Sequence, residues 1–242
     1  MVGDSIARAL PLLLCLSVGS GCSEDSFAPT KNMSAISIVP STTALRIGES
    51  EQFSVVETFS DGTSRPLAAE WSSNNASVVM SSNRGTVSAV LVGSAVLVAV
   101  IGGTILTRAL QVVPDASGHW SGQFRYTSCS RLVGPGPDLC TVGVRQPLAL
   151  DLAQSHDQLH GTMEIFLNRY GGTVSGTVGA DGTVIVSATL TGDSETDSIT
   201  DWRSRTVGQA LEGQFALGRD FTNFFGHQVL VTQAELVGVT RP

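Results

Sequence analysis

The sequence predicts an all-β protein built of two successive units, a β-sandwich followed by an antiparallel up-and-down β-barrel-like domain. Short runs of alternating apolar and polar residues are separated by turn residues about every 8–12 positions, the texture of sandwiches and small barrels. The composition agrees, with 26 glycines and only 14% charged residues in 242. In the second half, one five-residue pattern recurs four times: apolar, polar, Gly, Gln or Thr, apolar.

The chain opens on Arg8, an apolar run over residues 9–18, and then Gly19-Ser20-Gly21-Cys22. A spanning helix needs about 20 apolar residues, so this run is too short, and the basic–apolar–small order is that of a signal peptide. Together with the cysteine it resembles the signal peptide and lipobox of bacterial lipoproteins, with Gly19 standing where that motif has an apolar residue. The resemblance implies removal of residues 1–21, lipidation at Cys22 and attachment to a membrane, with the outer membrane as the expected location. Residues 22–33, polar and containing Pro29, then act as a tether. The alternative is ordinary secretion with cleavage after a small residue such as Ala28.

Of the four cysteines, Cys15 leaves with the leader and Cys22 takes the lipid. Cys129 and Cys140 remain and, in an oxidising compartment, pair as a disulfide. Closing that loop stabilises the fold by about 2.5–3 kcal/mol on the chain-entropy model. A zinc pair has no neighbouring Cys or His to complete a four-ligand set. The net charge of −7 supplies no basic stripe to neutralise phosphates, which argues against a nucleic-acid partner.

Strands are expected near Ala35–Val39, Ala44–Ile47, Glu51–Phe59, Ala69–Ser72, Ser77–Met80, Gly85–Val92, Ala95–Ile101 and Thr104–Val113. Asp61-Gly62 and Gly102-Gly103 supply the positive φ of tight hairpins. Within this stretch Ile36-Ser37-Ile38-Val39-Pro40, Gly48, Asp61-Gly62, Trp71-Ser72-Ser73-Asn74, Gly85-Thr86-Val87-Ser88-Ala89 and Gly93-Ser94-Ala95 follow in order. That series resembles the bacterial Ig-like domain of group 2 (BIG2), over residues 34–113. The resemblance implies an Ig-like sandwich acting as a spacer or binding surface without catalytic residues. It also implies Trp71 as the large residue between the sheets.

Residues 114–117, Pro114-Asp115-Ala116-Ser117, are a break too short for free pivoting. Residues 118–242 contain the four repeats, at Trp120–Phe124, Leu159–Met163, Val174–Val178 and Leu211–Phe215. In a strand the first, third and fifth positions share one face. Each copy therefore presents apolar–Gly–apolar inward, and a mid-strand glycine allows a sharp bend or a close backbone approach. With hairpin signals at Ser155-His156-Asp157, Tyr170-Gly171-Gly172 and Ala180-Asp181-Gly182, His119 to Val239 holds about eight strands. The architecture is similar to that of lipocalin-like barrels; a second sandwich is the alternative.

Candidate sites are few. His156, His160 and Glu164 share parity, but extended residues four apart lie about 13 Å from each other, too far to share one metal ion. Asp193, Glu195, Asp197 and Asp201 offer oxygen ligands for calcium but lack the EF-hand glycine and final glutamate, so solvated loop charges are the expectation. Phe221, Phe224 and Phe225 fall in an expected loop and are the candidate binding surface. No metal and no cofactor is expected, and no nucleophile elbow, HExxH pair or phosphate loop is present. The resulting expectation is a non-catalytic lipoprotein of the cell envelope, with the Ig-like unit presenting the second domain for binding or adhesion. Its partner would be an envelope or extracellular protein, a glycan or a small apolar ligand. A carrier of an apolar ligand inside the barrel is the first alternative. An envelope hydrolase using the acidic run or His227 is the second.

Overall fold

The structure is a computed structural model that describes residues 31–134, 140–166, 169–192, 196–223 and 226–242. Cys22 and most of the tether lie outside the described residues, as do Asp193, Glu195, Phe224 and Phe225.

The first ten strands are β1 (Met33–Val39), β2 (Ala44–Arg46), β3 (Ser50–Gln52), β4 (Ser54–Phe59), β5 (Ser64–Leu67), β6 (Glu70–Ser73), β7 (Val79–Ser81), β8 (Thr86–Ala89), β9 (Gly93–Ile101) and β10 (Thr104–Val113). They form Ig-like sheets in the orders β1-β4-β5, β2-β10-β9-β6 and β3-β8-β7. Alternation does the sorting: Ala95, Leu97 and Ala99 of β9 are buried while the intervening valines are half-covered. These residues join Leu45, Val55, Val87 and Val112 in one core.

Three local expectations are corrected. Glu51–Phe59 is not one strand but two, because Phe53 is fully buried and its amide donates to the Gly85 carbonyl (2.8 Å), carrying the chain from one sheet to another. Phe53, rather than Trp71, is the large aromatic of the core. Trp71 is half-buried at the core margin, with its indole against Gly85. β5 lies outside the strands expected from sequence. It contains Pro66, which lacks an N–H, and it is tolerated because β5 lies at a sheet edge, paired with β4 alone.

The remaining strands are β11 (Gly118–Val133), β12 (Arg145–Ser155), β13 (Gln158–Ile165), β14 (Tyr170–Val178), β15 (Thr183–Thr191), β16 (Thr196–Val207), β17 (Ala210–Asn223) and β18 (Gly226–Thr240). They close in sequential order into an antiparallel barrel, β18 returning to β11. In every repeat the outer apolar residues are buried: Trp120 and Phe124, Leu159 and Met163, Val174 and Val178, Leu211 and Phe215. The outer wall carries exposed residues such as Thr173, Ser175, Thr189, Arg203 and Glu212. This polarity is the reverse of a lipid-facing barrel. The expected hairpin at Tyr170-Gly171-Gly172 is instead the start of β14, and the chain turns earlier, before Tyr170. Gly172 is in the strand because the Thr189 carbonyl lies where its Cβ would be.

The sandwich and barrel are joined through a packed junction. Val113 and Ala116 are buried in the barrel core. The Gln154 amide accepts from the Ala116 N–H (2.7 Å) and donates to the carbonyls of Pro114 (3.1 Å) and His156 (2.8 Å). Asp115 accepts from the Ser117 amide and hydroxyl and faces Arg46 of the sandwich (3.5 Å) and Arg241 of the barrel (3.9 Å). Burial works against its charge, but the Ser117 hydrogen bonds and the two guanidinium groups outweigh it and hold the carboxyl below the usual range.

Candidate binding surfaces

The barrel interior is filled. Trp120, Phe124, Phe215, Leu159, Met163 and Trp202 are all fully buried within it. The rings interlock, with Trp202 stacked on Phe215 (4.9 Å) and Phe124 edge-on to Phe215 (5.4 Å). The inward glycines do not open a cavity. A Cβ at Gly122 would sit 2.6 Å from Val239 Cα, and at Gly161, Gly176 and Gly213 it would strike the backbone of Asp151, Ile185 and Arg203. Each missing side chain is replaced by an adjacent strand drawn close, which curves the wall. A partly open hollow beside Tyr126, Leu217 and Arg219 holds about 10 Å³, no more than the least a single water requires.

At the barrel end away from the sandwich, Asp197 and Arg219 form a bidentate ion pair. Nε meets Oδ1 at 3.1 Å and Nη2 meets Oδ2 at 3.0 Å, with Asp197 wholly buried. The guanidinium lies over the rings of Phe166 (5.0 Å) and Tyr170 (5.2 Å). Burial opposes the Arg219 charge, yet its hydrogen bonds to Asp197 hold it above its ordinary value. Burial, helped by Asp197, pushes the nearby Tyr126 hydroxyl up to about 12. Asp197 is therefore a structural counter-ion, not the solvated loop charge expected from sequence. Its parity on β16, facing Arg219 on β17, was the only signal, and it needed the strand pairing to be read.

The other sequence candidates are dispersed. Phe221 lies in β17 rather than in a loop and is buried, so it offers no ring to a partner. At the same end the exposed apolar side chains are Leu132, Val133, Val142 and Val144. Cys129 and Cys140 form a disulfide. His160 and Glu164 are exposed on β13, whereas His156 sits in the β12–β13 turn, 3.7 Å from Glu49 and 3.6 Å from Glu51 of the sandwich. His227 pairs with Asp220 (2.7 Å) and His119 with Asp151 (2.8 Å), all four exposed. Among the described residues no three His, Cys, Asp or Glu side chains gather to hold a metal ion.

The wall itself carries a broad concavity of about 620 Å³ over β13–β16, bordered by His160, Ser175, Ser187, Asp201 and Arg203. It coincides with an irregularity in pairing. The β15–β16 ladder stops at Val184↔Ser204 and resumes at Ala188↔Ile199. On the other side of β16, Asp201 and Trp202 face a single residue of β17 between the pairs Thr200↔Ala216 and Arg203↔Gln214. This is a β-bulge, and Asp201 sits at its centre with φ +48°. Consequently the consecutive residues Thr200 and Asp201 are both exposed while Trp202 is buried.

Comparison with known proteins identifies the first unit. Residues 33–104 match the family model of the bacterial Ig-like domain (group 2). The BIG2 resemblance read from Trp71, Gly85 and their neighbours thus holds, and a BIG2 domain points to a cell-surface or extracellular protein. Among curated proteins, none matches the chain. A solved structure of domains 5–6 of the S-layer protein SbsC aligns over 84% of this chain and 97% of its own, at 15% identity and a TM-score of 0.30. At that score the likeness does not amount to a shared fold.

Proposed function

We propose that this protein is a non-catalytic, lipid-anchored component of the bacterial cell envelope that presents the outer surface of its C-terminal barrel for binding or adhesion. In this reading Cys22 carries the lipid, the BIG2 domain is the spacer, and the barrel meets the partner. The observation that carries it is the junction around Ala116, where Gln154, Asp115, Arg46 and Arg241 tie spacer to barrel. Such a connection suits holding a surface at a set angle from a membrane. The interior, filled among the described residues, supports binding on the outside of the barrel over the carrier reading. Two or more acyl chains, at about 0.8 kcal/mol per buried CH₂, give stable attachment. In cell fractionation the native chain should enter the membrane fraction and C22S should not. A C22S chain that still fractionates with membranes overturns the anchoring.

A further inference from the structure

From the concavity over β13–β16 we infer a binding groove for an uncharged glycan chain. This rests on the reading of the barrel as a surface-presented binding unit and names the class of its ligand. The groove of about 620 Å³ runs into a second hollow of about 270 Å³ that shares Ser175, Ser187 and Thr200 with it. Across the strands His160 pairs with Ser175, and Ser175 with Ser187. Their side chains therefore stand in a row at the strand spacing of about 4.8 Å. The bulge adds Thr200 and Asp201 to the border of the groove from β16. Bulges re-aim side chains in this way next to functional sites.

The chemistry of the border selects the occupant. Hydroxyls of Ser175, Ser187 and Thr200 both donate and accept, the Asp201 carboxylate accepts and the Arg203 guanidinium donates. A polyol, which has a donor and an acceptor on every hydroxyl, matches that mixture. One acid and one strong base border the groove, so their charges balance and an uncharged chain fits better than an acidic one. Ile185, 53% exposed, lines the hollow together with the buried Val186 and Trp202 and offers an apolar surface for the C–H face of a sugar ring. A lipid would leave the hydroxyl row unpaired. A protein interface of standard size needs about 800 Å² per partner, more than a hollow lined by a dozen residues supplies.

The test is an array of neutral and acidic oligosaccharides probed with the full chain, with wild type compared with D201G and S187F. Glycine accepts the φ of +48° at position 201, so D201G removes the carboxylate without strain. S187F fills the groove from an exposed position. Thermal melting verifies that each variant is folded. The expected result is binding to neutral oligosaccharides, weakened about tenfold or more in D201G, as for loss of a charged hydrogen bond, and abolished in S187F. Binding of acidic oligosaccharides alone, no binding to any neutral one, or neutral binding unchanged in both folded variants overturns the inference. The array reads the groove wherever the chain resides, whereas fractionation of C22S reads the anchoring, so the two failures are distinguishable.

Discussion

Replacing Asp197 with alanine leaves the Arg219 guanidinium in the barrel without the carboxylate that now grips it at 3.0 and 3.1 Å. Breaking a buried pair by removing one partner costs about 3–5 kcal/mol, because the remaining charge stays desolvated. The Arg219 side chain is 16% exposed, and partial access to water places the expected cost near the lower figure, about 3 kcal/mol. For a barrel of this size that corresponds to a fall in Tm on the order of 10 °C. The double variant D197L/R219M removes both charges and should recover most of the loss, since well-packed apolar replacements of buried pairs are often neutral or better. Urea unfolding followed by the fluorescence of Trp120 and Trp202, both buried in the barrel, measures D197A and, as one cycle, D197L, R219M and D197L/R219M. A loss below about 1 kcal/mol in D197A, the ordinary range of an exposed pair, would show that the two groups are not paired in the interior. A double variant as unstable as D197A would refute the argument that the cost comes from the orphaned arginine.

The close strand approach predicts a contrast between two glycines of neighbouring strands. G161A drives a methyl group into the Asp151 carbonyl and should cost about 1–3 kcal/mol, whereas a methyl at Gly171 meets nothing nearer than 3.7 Å and G171A should be neutral or slightly stabilising in the same urea assay. The Tyr126 hydroxyl, at about 12 in the folded chain against 10 as its ordinary value, keeps its proton in the folded state after the unfolded chain has lost it. Stability is therefore fully present below pH 10 and declines between pH 10 and 12, by up to about 2–3 kcal/mol; unfolding titrations at pH 9 and 11 check it, with Y126F expected to flatten the tyrosine component of the decline. Q154A removes the hydrogen bonds to Pro114, Ala116 and His156 and should broaden the distance distribution between one spin label on the sandwich and one on the barrel; an unchanged narrow distribution would show that the amide does not hold the junction.

The pattern apolar–polar–Gly–polar–apolar made the barrel legible because parity in a strand reports which face is inside, and Trp120, Phe124, Leu159 and Met163 needed nothing more. Parity does not report which residue lies opposite. Sequence alone makes Asp197 a loop charge, because the residue that neutralises it, Arg219, lies 22 positions away on the next strand. Gly171 and Gly172 look like a turn and are a strand start, because a glycine serves equally for positive φ and for close approach to a neighbouring backbone. Phe53 and Trp71 could not be ranked for the core from spacing alone, and the sheet switch at Phe53 decides between them. The groove was hidden for the same reason as the ion pair. The bulge at Asp201 is a mismatch between three strands, and no one of them shows it by itself.

Binding confined to the outer wall requires a solid barrel. Native mass spectrometry of the full chain, purified gently and then offered an apolar probe, tests this most directly. The polypeptide mass with its own lipid and no other bound species, together with no uptake of the probe, is the predicted result. A stoichiometric apolar molecule that co-purifies with the chain, or is taken up by C22S with an accompanying rise in Tm, would contradict it and restore the carrier.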